Sequence, residues 1–434
     1  MTASARTPSG RGRRVMIYSQ DGLGLGHLRR TTAIADRLAS ITTDSAILTC
    51  MDSPAGPFFK AAAGQDHVKL PSIVKDGPGN WRAGAMPIEL DRVLKLRSGM
   101  LLAAAHSFHP DLLLVDHMPH GAQGELLPTL RYLRSEQPDT RIVLGLRDIL
   151  DDPAVVARVW ADEGATAALA EFYDHLLIYG VREVFDAGAI YGFDEVMGKR
   201  MSYAGFVGHD GDERAPRSRD RDRALVFAMA GGGADGYPML RAVVDAFPQI
   251  DAVRPSKLVV TTGPFLPAQL RDDLRRRATS DNIKIKTSIK DTWRYLRWAD
   301  AVVAMAGYNS SVEILRSGCP AVLVPRKGPS AEQRMRARLF AEQGWVRTID
   351  PTNLDESAMA AEVVACMTGD RFRRNRPSHE QLNGEENAAR NLADQLAGPP
   401  LEQRHRANRP STSLDRRTTH LGPDDEVETL RDAV

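Results

Sequence analysis

Cysteine is scarce in this chain. Cys50, Cys319 and Cys366 are the only three, far apart and odd in number, and no Cys-x-x-Cys pair occurs. That argues against a disulfide framework or a zinc cage and fits a reducing cytoplasm. Long apolar runs are missing too. No stretch of about 18 apolar residues occurs, so no membrane-crossing helix is expected. Met1–Arg14 is polar and arginine-bearing, with no apolar core of signal-peptide length. Net charge is almost absent, with 57 basic against 56 acidic residues, which gives no footing for a nucleic-acid partner. The expected location is the cytoplasm. Peripheral contact with the inner membrane face stays open, because a surface patch leaves little trace in sequence.

What the chain does have is length and alternation. Its 434 residues predict two or three domains with cores large enough to need no covalent staples. Short apolar runs at Val15–Ser19, Ala46–Cys50, Leu112–Asp116, Ile142–Leu146 and Leu176–Tyr179 read as buried strands separated by amphipathic stretches. Between Arg29 and Ser40, Ile34 and Leu38 share a helix face, with Arg30, Asp36 and Arg37 expected off it. From His209 to Arg223 there is no Val, Ile, Leu or aromatic residue, only a segment dominated by five acids and five arginines. Such a segment buries no core and reads as a linker. The alternation restarts at Ala224–Met229, Leu258–Thr262, Ile283–Lys286, Ala301–Met305 and Ala321–Val324. The expected class is therefore α/β: two Rossmann-like parallel-sheet domains facing across a cleft. We expect a disordered tail at 1–13, a first domain at 14–207, a charged linker at 208–223, a second domain at 224–397 and a disordered tail at 398–434.

Two glycine-rich turns follow first strands. Gly22-Leu23-Gly24-Leu25-Gly26-His27 comes after Val15–Ser19 and opens a helix. Glycines there permit a sharp turn and close approach of a ligand, and a helix start offers unpaired N–H groups. It lacks the third glycine of a dinucleotide fingerprint and the GK[ST] of a P-loop. A tight connection alone would explain the glycines, but His27 adds a titratable imidazole suited to act as a base. The second turn, Gly231-Gly232-Gly233 after Ala224–Met229, repeats the device. Three consecutive glycines exceed what a turn requires, and their N–H groups can cradle a diphosphate without a cation.

The most informative stretch is Ala306-Gly307-Tyr308-Asn309-Ser310-Ser311-Val312-Glu313, then Gly318-Cys319-Pro320, a strand ended by Pro325, and Glu332-Gln333-Arg334. Gly307 allows a close turn, and a helix starting near Asn309 carries Glu313 on its first turn, where a carboxylate can accept hydrogen bonds from vicinal hydroxyls. These features in this order resemble glycosyltransferase family 28, most specifically between Met305 and Ala337. The resemblance implies a GT-B fold and an inverting hexosyltransferase that needs no metal and no cofactor. It moves a hexose or N-acetylhexosamine from a nucleotide sugar, UDP-linked, to a hydroxyl on a small-molecule or lipid-linked acceptor. By position, Glu313 is similar to the family's ribose-binding glutamate and Gln333 to a glutamine that contacts the donor sugar. Gly231–Gly233 resembles the diphosphate loop, and Ile289 falls where backbone groups read the uracil edge. Gly307, Asn309, Ser310 and Glu332 complete the donor set. Gly24, Gly26 and His27 match the acceptor-side loop. The family's second glutamine is Arg334 here, and its usual threonine-containing loop carries Leu23 and Leu25 instead.

Other readings stay open. Asp116-His117-Met118-Pro119-His120 is compatible with a loose metal site, with Asp116 as the base or as a carboxylate orienting His27, or with simple strand-end structure. Arg147-Asp148 lines an acceptor pocket or forms a surface ion pair. Arg326-Lys327 offsets diphosphate charge or is solvated surface. Among rival functions are a nucleotide-sugar hydrolase or epimerase on the same fold and a non-catalytic sugar-nucleotide-binding subunit. An NAD enzyme with Asp52 on the ribose is a further rival, weakened by the missing third glycine.

Overall fold

The computed structural model describes residues 12–20, 26–42, 44–53, 56, 61–75, 81–208, 222–369 and 375–398. Most of the expected tails and linker lie outside the described residues, as do Gly22–Leu25 of the first glycine turn.

Strands β1 (Arg14–Ser19), β2 (Ala46–Met51), β3 (Gln65–Lys69), β6 (Leu112–Asp116), β7 (Arg141–Arg147), β8 (His175–Tyr179) and β9 (Met201–Tyr203) form one sheet. A small hairpin of β4 (Ile73–Lys75) and β5 (Trp81–Ala83) stands apart from it. The order is β3-β2-β1-β6-β7-β8-β9, all parallel. The second sheet contains β10 (Ala224–Met229), β11 (Ser256–Thr261), β12 (Ile283–Lys286), β13 (Ala301–Ala304), β14 (Ala321–Leu323) and β15 (Arg347–Thr348). Its order is β12-β11-β10-β13-β14-β15, again parallel. Strands β6 and β8 are buried throughout, as strands with both faces covered must be, and their sequences run almost continuously apolar. In each sheet the order reverses beside its first strand. The switch points lie between β1 and β6 and between β10 and β13, and crevices at the carboxyl ends of such strands are where ligands bind in open parallel sheets.

Helices start where local chemistry favours them. Pro238 occupies the first turn of Tyr237–Val253, where a missing N–H costs nothing. Asp291 and Asp355 accept hydrogen bonds from the third N–H of Thr292–Trp298 and Glu356–Thr368.

One continuous apolar core runs under both sheets and joins Val15, Ile17, Leu177 and Phe206 to Phe227, Tyr308, Phe340 and Trp345. Phe206, Phe340 and Trp345 form an edge-on aromatic trio with centroids 5.4–6.1 Å apart. The chain through Gly398 accordingly forms one compact unit. The helix Gly384–Ala397, which ends that unit, packs on the helix Gly26–Ile41 of the first sheet. It buries Ala388, Ala389 and Leu392 there, with Arg37 paired to Glu386. At Gly384 a β-carbon would come within 2.5–2.6 Å of the Phe206–Val207 backbone, so glycine permits the close crossing.

Arg30 corrects one sequence expectation. It lies four residues before Ile34 and eight before Leu38, so it shares their face, and it is buried. A guanidinium is tolerated there because a carboxylate waits for it.

Candidate active site

That carboxylate is Asp116, at the carboxyl end of β6 and fully buried. Arg30 Nη2 donates to its two oxygens at 3.0 and 2.8 Å, and Nε donates at 3.2 Å. The guanidinium also lies over the Tyr179 and Tyr308 rings, 5.1 and 5.6 Å from their centroids. Burial opposes ionisation of Asp116, but Arg30 and His27 outweigh it and hold the carboxyl well below the ordinary aspartate range.

His27 is the second residue of the helix Gly26–Ile41, which begins at the first switch point. Its Nδ1 lies 2.5 Å from Asp116 Oδ2, and Arg30 Nη2 also comes within 2.9 Å of Nδ1. Arg30 cannot donate to a nitrogen that itself carries a proton. An ionised carboxylate only accepts, so Nδ1 carries the proton and donates it to Asp116, and the arginine approach is proximity. Nε2 is then the basic nitrogen of the ring. The arrangement is a histidine whose tautomer and orientation are set by a buried, arginine-anchored carboxylate. Of the open readings of Asp116, the geometry favours the orienting carboxylate over the base.

His117 follows immediately. Its φ of +81° is a left-handed conformation that a non-glycine residue rarely adopts, and its ring centroid is 5.2 Å from that of His27. Burial, with Arg147 and His27 nearby, pushes its pKa well below 6.5, so it is neutral at pH 7. His120 is buried with Nδ1 2.8 Å from Gly121 O. Among the described residues no group of three or more His, Cys, Asp or Glu side chains could hold a metal ion.

The second switch point brings together the residues assigned to the donor. Gly231 and Gly233 take φ of +61° and +93°. A β-carbon on Gly233 would sit 2.0 Å from Thr262 O, so this position requires glycine. The helix Tyr308–Ser317 starts one residue earlier than expected, with Gly307 at its N-cap. Glu313 therefore lies on the second turn, not the first. A β-carbon on Gly231 would stand 3.8 Å from Ser310 Oγ, which puts the glycine loop beside this helix start. Asn309 Nδ2 donates to Gly26 O at 3.2 Å. A short chain of contacts thus runs from the glycine loop through Ser310 and Asn309 to Gly26 and His27. Ile289 lies in the loop before Thr292–Trp298, half-buried against the core. Burial raises the pKa of Glu313, against the pull of Arg29 and Arg316.

Glu332 and Arg147 meet each other. Arg147 Nη1 donates to Glu332 Oε1 at 2.9 Å, and Arg336 Nη1 donates to the same oxygen at 2.8 Å. Arg336, fully buried, also donates to Asp148 at 3.0 Å and to Ala306 O at 3.1 Å. Burial works against the Glu332 charge, yet Arg147 and Arg336 bring its pKa below the ordinary value. Both residues are thus engaged in a network that ties β7 to the helix Glu332–Glu342. Gln333 accepts from the Arg326 N–H at 3.2 Å, and Arg326 reaches Asp235 at 3.5 Å. An open cavity of about 980 Å³ adjoins the glycine loop at Ala234 and Asp235 and is lined by Tyr237, Met305, Arg326 and Lys327. Asp52 is buried and paired with Arg97, which leaves it committed and removes the support for an NAD ribose site.

Sequence reasoning missed Arg30 and Arg336, and it named His117 only within the Asp116–His120 stretch. The spacing of Arg30 from Ile34 and Leu38 was a usable signal for the first. Nothing local announced Arg336, whose role comes from partners far along the chain.

This architecture is that of the GT-B glycosyltransferases. A MurG from Acinetobacter baumannii superposes with a TM-score of 0.58 over 89% of this chain and 99% of its own, at 12% identity. A candidate UDP-N-acetylglucosamine 2-epimerase from Listeria monocytogenes superposes with a TM-score of 0.63 over 89% of this chain and 96% of its own, also at 12% identity. Likeness at that identity speaks for the fold alone. Within the second sheet's half, residues 227–396 match the glycosyltransferase family 28 C-terminal domain. A relative in Leuconostoc citreum is named a UDP-N-acetylglucosamine--N-acetylmuramyl-(pentapeptide) pyrophosphoryl-undecaprenol N-acetylglucosamine transferase. It is 31% identical over 148 residues, 33% of this chain and 39% of its own. The chain thus matches about two fifths of the length of such curated relatives. Among the described residues no helix is long and apolar enough to cross a membrane.

Proposed function

We propose that the protein is an inverting, metal-independent glycosyltransferase that moves a hexose or N-acetylhexosamine from a UDP-linked donor to a hydroxyl of a small-molecule or lipid-linked acceptor. The observation that carries this reading is the His27–Asp116–Arg30 arrangement at one switch point, joined through Gly26 and Asn309 to the glycine loop and Glu313 at the other. His27 Nε2 takes the acceptor proton as the hydroxyl attacks the anomeric carbon, and Asp116 stabilises the imidazolium that forms. The N–H groups of Gly231–Gly233 and the start of Tyr308–Ser317 receive the charge that develops on the leaving diphosphate. Glu313 holds the ribose, backbone at Ile289 reads the base, and Gln333 contacts the sugar.

The test is turnover of UDP-N-acetylglucosamine by His27→Ala, followed as UDP release with an extracted lipid acceptor and with simple alcohols. Release should fall by roughly 10²–10⁴-fold, with UDP affinity by calorimetry unchanged. Retention of most activity by the variant removes His27 from the role. Inversion at sugar C2 without UDP release assigns the epimerase reading instead.

A further inference from the structure

Most cations at the junction of the two sheets are committed to buried or half-buried partners. Arg30 serves Asp116, Arg336 serves Asp148 and Glu332, Arg147 serves Glu332, and Arg316 pairs with Glu385. Arg29 is different. It sits on the first turn of Gly26–Ile41, two residues after His27, with its side chain 46% exposed. Among the described residues its ion-pair contact is with Glu313, at 3.4 Å from Nη1 to Oε1. Beside it, Gly26 O accepts the Asn309 side chain. The first turn of this helix therefore docks at two points onto residues assigned to the donor, and at one of them a cation rests on the carboxylate assigned to the ribose.

A long ion pair whose guanidinium is half-exposed is weak and easily exchanged. The ribose hydroxyls of an arriving nucleotide are donors that satisfy Glu313 directly. That releases a guanidinium on a helix turn that Asn309 ties to the donor-side helix through Gly26 O. The glycine loop offers N–H groups but no cation, and Arg326 is drawn toward Asp235. A planar guanidinium matches phosphate oxygens better than a point charge does.

We propose that Arg29 is a donor-binding residue contributed from the first sheet: it rests on Glu313 in the empty protein, yields that carboxylate to the ribose, and pairs with the donor diphosphate. The inference rests on the donor reading above and adds a specific consequence. Removing Arg29 weakens a nucleotide but not a nucleoside, because it deletes a competitor for the ribose contact and a partner only for the diphosphate.

Calorimetry with uridine and with UDP on the full chain tests this in wild type, Arg29→Ala, Arg29→Gln and Arg29→Lys. The half-exposed position makes the substitutions tolerable, and thermal melts check that each variant is folded. In Arg29→Ala and Arg29→Gln, uridine should bind as well as before or a few-fold tighter. UDP should bind about tenfold weaker, as for loss of one charge-assisted contact. The lysine variant should recover part of the UDP loss. An unchanged UDP-to-uridine preference, or equal shifts for both ligands, overturns the role of Arg29 while the donor reading stands. Failure of the wild type to bind UDP, TDP or GDP overturns both.

Discussion

Replacing Asp116 by asparagine isolates what the buried carboxylate does. The side chain keeps its shape but loses its charge, and Arg30 is left as an uncompensated buried cation wedged between Tyr179 and Tyr308. Breaking a buried pair from one side costs about 3–5 kcal/mol, well above the penalty for one neutral hydrogen bond, at about 1 kcal/mol. The same change replaces the charged acceptor that fixes Nδ1–H on His27 by a neutral amide, whose NH2 can take the oxygen's place. Urea unfolding of Asp116→Asn should therefore show a loss of about 3–5 kcal/mol with an unchanged denaturant slope. A double variant, Arg30→Met with Asp116→Asn, removes the stranded cation and should recover most of that stability. It should not recover turnover, because the histidine stays unoriented. Two results would refute the reasoning: a loss below 1 kcal/mol in Asp116→Asn, or a double variant no more stable than the single one.

Glu313→Ala should weaken UDP by about 1.5–3 kcal/mol in calorimetry, and undiminished affinity would remove it from the ribose. Turnover should persist in excess EDTA, since backbone N–H groups and helix starts carry the diphosphate charge; loss that magnesium or manganese restores would count against this. His175 is buried, with Nε2 2.8 Å from Ser202 Oγ, and burial together with Arg200 lowers its pKa to about 4. Its folded pKa lies below the unfolded value of about 6.5, so the unfolded chain binds the extra proton between those values. Stability should be full above pH 6.5 and decline by about 3 kcal/mol as pH falls to 4. His175→Asn should flatten that part of a melting-temperature profile, and an unaltered profile would assign the acid sensitivity elsewhere.

Most of the strands legible in the sequence are buried on both faces. β6 and β10 begin and end where the apolar runs do, β1, β2 and β8 differ by one residue at one end, and β7 by one at each end; β12, a partly exposed edge strand, is also legible with its own bounds, because Ile283 and Ile285 alternate with lysines. β3, β9 and β15 escaped notice because they lie at or near sheet edges and are partly exposed, so their sequences carry no apolar run. The site divides the same way. Gly233, Asn309, Glu313 and His27 could be named because each follows a strand at fixed spacing, where the chain itself dictates placement. The Arg147–Glu332–Arg336–Asp148 network could not, because its bonded partners lie up to 188 residues apart and no local pattern shows that Arg147 and Glu332, named for separate roles, meet each other. Arg30 fell between these cases: its helical phase was readable, but not the carboxylate that makes burial tolerable.

The return of Gly384–Ala397 to the first sheet bears on how such proteins can be recombined. Cutting relatives at the charged segment between the sheets and exchanging halves looks natural from the strand order. Yet the second half ends in a helix whose apolar face, Ala388, Ala389 and Leu392, is shaped to Ile34 and Leu38 of the first. A chimera made at that junction pairs one parent's helix with the other parent's surface, and it also mismatches the Arg37–Glu386 contact. Exchange is compatible with a packed first layer when the terminal helix travels with the half it covers. Drift in the first half is thereby tethered to residues far along the chain: a substitution on the outer face of the histidine-bearing helix calls for an answering one some 350 residues later.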